Sequence, residues 1–79
     1  MSSRDKFAPE YRKVIERLIQ LRRSAQLTQV QLAERMSIDQ SQISKFERCE
    51  RRMDIIDFIK FCTACGANPS EILDSVPTT

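Results

Sequence analysis

Apolar residues recur at intervals of three and four along most of the chain, and no stretch shows the sustained alternation of a half-buried strand. Tyr11, Val14, Ile15, Leu18 and Leu21 form one such stripe, and Pro9, with its preset φ, suits a first helical position, so a helix is expected over 9–25. Ile55, Phe58, Ile59, Cys62 and Cys65 form a second stripe, expected to be the buried face of a helix over 54–65. Two shorter segments, 28–36 and 39–48, lie between them, and a short helix over 69–75 ends the pattern. Glycine occurs once and proline three times, at segment edges, which leaves short turns as the connections. The expected architecture is all-α with five helices. Residues 1–8 read as a flexible arm, 9–76 as the folded domain and 77–79 as a frayed tail.

Helix starts are marked by capping residues. Thr28 followed by Gln31 fits a capping box, in which the hydroxyl accepts from an orphan backbone N–H and the amide reaches back to the cap. Asp39 with Gln42 repeats that spacing in weaker form, and Asp54 is a candidate cap for the fourth helix. Asn68, Pro69 and Glu71 supply a cap, a first-position proline and an acid in the first turn of the fifth.

The segment 39–48 presents a second kind of pattern. At about 100° per residue, Gln40, Ser41, Ser44, Lys45 and Arg48 fall within one arc of about 140°, and the large apolar residues Ile43 and Phe46 fall outside it. One apolar side anchors this helix, and the other carries an amide, two hydroxyls and two cations. Such groups suit base edges and phosphates: Gln pairs bidentately with adenine N6 and N7, Lys reaches guanine O6 and N7, and small hydroxyls permit close approach. They equally suit an ordinary hydrated helix face.

Charge narrows the choice. The net charge is only +2, yet residues 1–27 carry seven Lys/Arg against three acids, and residues 48–52 carry three Arg against one Glu. Residues 53–79 carry one Lys against four acids, so base and acid occupy different parts of the chain, as expected of a domain with one face toward a polyanion. Absence of histidine removes the commonest general base and metal ligand, so no enzyme and no cofactor is expected. Seventy-nine residues suffice for one small core. No apolar run is long enough to cross a bilayer, and three cysteines without a leader argue against a disulfide framework; a cytoplasmic protein is expected.

Two helices of eight or nine residues with a turn near Ser37 and Ile38 match the helix-turn-helix unit, whose second helix enters the major groove. The run LTQVQLAERMSIDQSQISKFER, residues 27–48, resembles the phage-repressor and Cro-type (XRE) regulators, with their L-T-Q-x-x-L-A and I-S-x-x-E patterns. The resemblance covers roughly residues 12–73 and implies a lambda-repressor-like helix-turn-helix domain. It implies that Gln40, Ser41, Ser44 and Lys45 face bases. Gln29 would clamp a phosphate at its helix N-terminus and brace Gln40, and Arg48, Arg51 and Arg52 would contact the DNA backbone. Glu47 matches a family acid that pairs with an arginine at the end of the first helix, here Arg22. Where the family usually has glycine, this chain has Gln26, Ser37 and Cys49 in its turns.

The resulting expectation is a transcriptional regulator that binds double-stranded DNA as a homodimer on a pseudo-palindromic operator, with Ile72, Leu73 and Val76 at the dimer surface. The alternative is an interaction module of the same fold, whose partner is a protein such as a toxin or an anti-repressor. Cys62 and Cys65 form a C-x-x-C that reads either as small apolar core packing or as a redox pair. Arg4 and Lys6 read either as part of a disordered tail or as an arm reaching DNA.

Overall fold

A computed structural model describes residues 8–76. The expected arm, with Arg4 and Lys6, and the 77–79 tail lie outside those residues, apart from Ala8. Among the described residues are five helices: α1 (Pro9–Ser24), α2 (Gln29–Met36), α3 (Gln40–Glu47), α4 (Ile55–Ala64) and α5 (Pro69–Asp74). No strand occurs among the described residues. α2 packs on α3 and α4, while α1 packs across α3, α4 and α5.

Local chemistry accounts for most of the boundaries. Both bonds of the Thr28 capping box are made: the Gln31 N–H donates to Thr28 Oγ1 at 3.0 Å, and the Thr28 N–H donates to Gln31 Oε1 at 2.9 Å. Asp54 and Asp57 make the same reciprocal pair at the start of α4, and the Asn68 carboxamide accepts from the Ser70 N–H at 3.0 Å. Asp39 departs from expectation. It occupies the cap position of α3, but its carboxylate makes no cap hydrogen bond, and the Gln42 N–H donates instead to the Asp39 carbonyl at 3.0 Å. Packing rather than a side-chain cap therefore holds the start of α3.

Four helices end in one geometry. After α1, the Gln26 N–H reaches Arg23 O and the Leu27 N–H reaches Arg22 O, the paired bonds of a Schellman turn. The same two bonds recur at Ser37 and Ile38, at Cys49 and Glu50, and at Gly66 and Ala67. This closure needs a left-handed residue, and Gln26 (φ 60°), Ser37 (φ 57°), Cys49 (φ 56°) and Gly66 (φ 82°) all adopt it. Only the last is the glycine that does so without strain.

Leu18, Leu32, Ile43, Phe46, Phe61 and Cys62 make up the fully buried centre. The buried face of α4 differs from the expected stripe: Phe58, Phe61 and Cys62 face the core, whereas Ile55 and Ile59 are exposed. Apolar residues cover so much of the helix circumference that spacing alone does not pick the face; Phe61, entirely buried, decides it. Ile72 and Val76 also face inward, each only 6% exposed, so they belong to the core and are not available to a second copy. Leu73, at 48% exposure, is the one of the three expected dimer residues that remains on the surface.

The cysteines are free thiols. Burial pushes Cys62 from its ordinary 9.0 up to about 11, with Cys65 as a smaller contributor, and burial raises Cys65 as well. A thiol kept protonated at neutral pH is a poor nucleophile, which fits packing better than redox exchange. No cluster of three metal-binding side chains exists among the described residues, nor a helix long and apolar enough to cross a membrane.

Candidate nucleic-acid interface

α3 is held from behind and along one side. Ile43 and Phe46 point into the core and leave Gln40, Ser41 and Lys45 exposed, with Ser44 half-buried between them. The four residues expected to read bases thus lie on one outward strip of one short helix.

Glu47, at the last turn of α3, is the anchor. Its carboxylate meets the Arg22 guanidinium bidentately, Oε2 with Nε at 2.7 Å and Oε1 with Nη2 at 3.0 Å. Side-chain exposures of 10% and 7% mark this as a largely desolvated ion pair. Isolated burial of either charge would be strongly unfavourable, and a bidentate partner offsets much of it. Arg22 also donates through Nη1 to the Leu27 carbonyl at 2.9 Å, inside the turn between α1 and α2. One arginine therefore ties three elements together, and no buried side-chain polar atom of the described residues lacks a partner.

From that anchor the hydrogen bonds continue outward. Gln29, the first residue of α2, donates from Nε2 to Glu47 Oε1 at 2.9 Å, and its own Oε1 accepts from Gln40 Nε2 at 2.7 Å. The Thr28 capping box sets Gln29 at the helix N-terminus, where free N–H groups and the helix dipole favour an anion. Gln29 and Gln40 are brought together, as the spacing of the two helices requires for the expected brace.

The expected phosphate residues differ among themselves. Arg51 is exposed, in the loop after α3. Arg48 is exposed and paired with Glu50 at 3.1 Å, a surface contact that contributes little to stability. The guanidinium of Arg52 lies 5.8 Å from the centre of the Tyr11 ring, so this side chain also serves to hold the loop against α1. The Met53 N–H donates to the Tyr11 hydroxyl in the same place, at 2.9 Å. Sequence reasoning placed Tyr11 only in the core stripe; its hydrogen bond joins positions too far apart for any local pattern to reveal.

Comparison with known proteins agrees with this geometry. Residues 16–74 match a family model described as a helix-turn-helix domain. A solved structure titled XRE-family like protein from Pseudomonas syringae pv. tomato str. DC3000 is similar to this chain, with a TM-score of 0.80 and 38% identity over 82% of this chain and 79% of that one. Nothing among curated proteins matches.

Proposed function

Because the chain belongs to the XRE-type family of helix-turn-helix DNA-binding domains, we propose that it is a sequence-specific transcriptional regulator that lays α3 in the major groove of an operator. The observation that carries this reading is the bridge from Gln29 to Gln40, which pre-positions a base-facing amide beside the free N-terminus of α2. In this arrangement Gln40, Ser41, Ser44 and Lys45 meet base edges, while Gln29, Arg48, Arg51 and Arg52 meet phosphates. The regulator acts as a homodimer on a pseudo-palindromic site, with two copies of α3 about 34 Å apart.

The dimer surface is best supported around the groove of about 200 Å³ lined by Tyr11, Val14, Met53, Ile55, Phe58 and Leu73. Ile55 and Leu73 are both apolar and exposed there. The net charge of α2 and α3 is weak, which favours the second reading, a protein-binding module of the same fold.

Selection of bound duplexes from a random pool, followed by titration in rising salt, separates the two. A regulator enriches a two-fold symmetric sequence, and with about six phosphate contacts it loses on the order of a thousandfold in affinity between about 50 and 200 mM salt. A flat salt response, or no symmetric enrichment, leaves the protein-binding reading.

A further inference from the structure

A second surface lies at the other end of α2. Gln29, the residue proposed to meet phosphate, opens that helix, and Arg35 follows six residues later, about 9 Å along the axis. Between this end of α2 and α4 runs a groove of about 420 Å³, lined by the apolar Met36 and Ile59, the cations Arg35 and Lys60, and the hydroxyls of Ser37 and Thr63. All of these except Met36 are exposed, so the groove is an open trough. Small molecules are normally enclosed over most of their surface; a trough between two helices suits a segment of chain better.

Two features define what that segment carries. The first is an apolar strip. At about 100° per residue, Ile56, Ile59, Lys60 and Thr63 fall within one arc of about 100° on α4, away from the buried Phe58, Phe61 and Cys62. Ile56 is 54% exposed and Ile59 41%, and the strip contains no acid. Asp57, the one acid of α4, is turned to the Asp54 N–H at the helix start. The second feature is an ordered cation. Arg35 Nη1 donates to the Ala64 carbonyl at 2.9 Å, which holds the guanidinium against the end of α4. No other bond engages it among the described residues, so its Nε and Nη2 edge, the edge that meets a carboxylate bidentately, is uncommitted. Lys60 likewise pairs with no carboxylate of the described residues.

We propose that this groove docks an acidic amphipathic helix of a second protein, with apolar side chains three and four apart against Ile56 and Ile59 and carboxylates on Arg35 and Lys60. Nucleic acid is the poorer match, because its interfaces are markedly polar and two exposed isoleucines would face its phosphates. The proposal does not rest on α3 reading DNA.

The test selects binders to the full chain from a displayed library of random peptides of about 16 residues, enough for about four helical turns. Enriched sequences are expected to be net negative, with apolar residues three and four apart. A synthetic copy of one is expected to shift the backbone amide NMR signals of Ser37, Ile59, Lys60 and Thr63. Lys60→Glu and Ile59→Ser, both at exposed positions, are each expected to lower affinity for that peptide on the order of tenfold or more. Should one of them melt early, the other carries the test. No enrichment, enrichment of basic peptides, or shifts confined to residues outside the groove overturns the proposal. A loss of duplex affinity in Lys60→Glu as large as its loss of peptide affinity assigns the groove to DNA instead. Conversion of a dimer to a monomer by Lys60→Glu and Ile59→Ser assigns it to a second copy, and either result overturns the proposal.

Discussion

The Tyr11 hydroxyl on the first turn of α1 accepts a 2.9 Å hydrogen bond from the Met53 N–H, across 42 residues of sequence. The bond pins the loop between α3 and α4, the segment that carries Arg51 and Arg52, to the first turn of α1. Tyr11→Phe keeps the ring that Arg52 covers and removes the hydroxyl. Leaving the Met53 N–H without its partner is expected to lower stability by about 1 to 2 kcal/mol, read from urea unfolding. It should also weaken binding to all DNA sequences alike, because in the proposed mode of binding the loosened loop carries phosphate contacts and no base contacts. Unchanged unfolding would show that water replaces the hydroxyl.

Left-handed Gln26 and Ser37 predict the opposite sign. Both side chains are exposed, so replacing them removes little packing and relieves a conformation that a Cβ disfavours. Gln26→Gly and Ser37→Gly are each expected to raise stability by about 1 kcal/mol. Gly66→Ala supplies the converse measurement. An added Cβ at Gly66 meets no atom within 4 Å, so its cost is that of the positive φ alone. If the three changes do not agree in size and opposite sign, the turns are under less strain than their φ values imply. Cys49 is excluded from this comparison because its half-buried side chain packs against the core.

These examples also mark what the sequence made legible. The Thr28 and Asp54 boxes are contacts between residues three apart, and such spacing is readable directly. The same spacing misled at Asp39, where the carbonyl did what the carboxylate was expected to do. The left-handed turns and the Arg22–Glu47 pairing were expected only through family resemblance, because nothing local marks either one. α4 was misjudged since apolar residues cover most of the circumference of IIDFIKFC, leaving only Asp57 and Lys60 to mark one outer side, and a helix of that kind shows its inner face only when packed. The Tyr11 to Met53 bond has no sequence signal at all, being a tertiary contact between a side chain and an anonymous backbone group.

Alkaline pH is expected to destabilise the fold in a specific way. Burial raises Cys62 from 9.0 to about 11 and raises the Tyr11 phenol above its ordinary 10.0. In both cases the folded state keeps its proton to higher pH than the unfolded chain does. Their contribution is therefore complete below about pH 9 and is lost as pH rises through the folded values. For Cys62 the span from 9.0 to about 11 corresponds to a loss of about 2 to 3 kcal/mol above that range. Urea midpoints at pH 7, 9 and 11 for the wild type and Cys62→Ala check this. The wild type should lose more stability than the variant between pH 9 and 11, and parallel losses would remove Cys62 from the account.

The fifth helix separates folding from assembly within adjacent residues. Ile72, 6% exposed, fills the core, so Ile72→Ala is expected to cost about 2 to 5 kcal/mol whatever the oligomeric state. Leu73, 48% exposed, borders the apolar groove beside Ile55. Leu73→Glu should leave the melting temperature of the dilute monomer within about 2 °C of wild type, as surface substitutions generally do. In a dimer joined at this groove, the same change places like charges in an apolar contact and shifts sedimentation to the monomer at micromolar concentration. Operator affinity would fall with it, because each monomer then binds its half-site alone. A Leu73→Glu protein that still sediments as a dimer would move the assembly surface away from α5, leaving Ile56 and Ile59 on the outer face of α4 as the remaining exposed apolar residues of that helix.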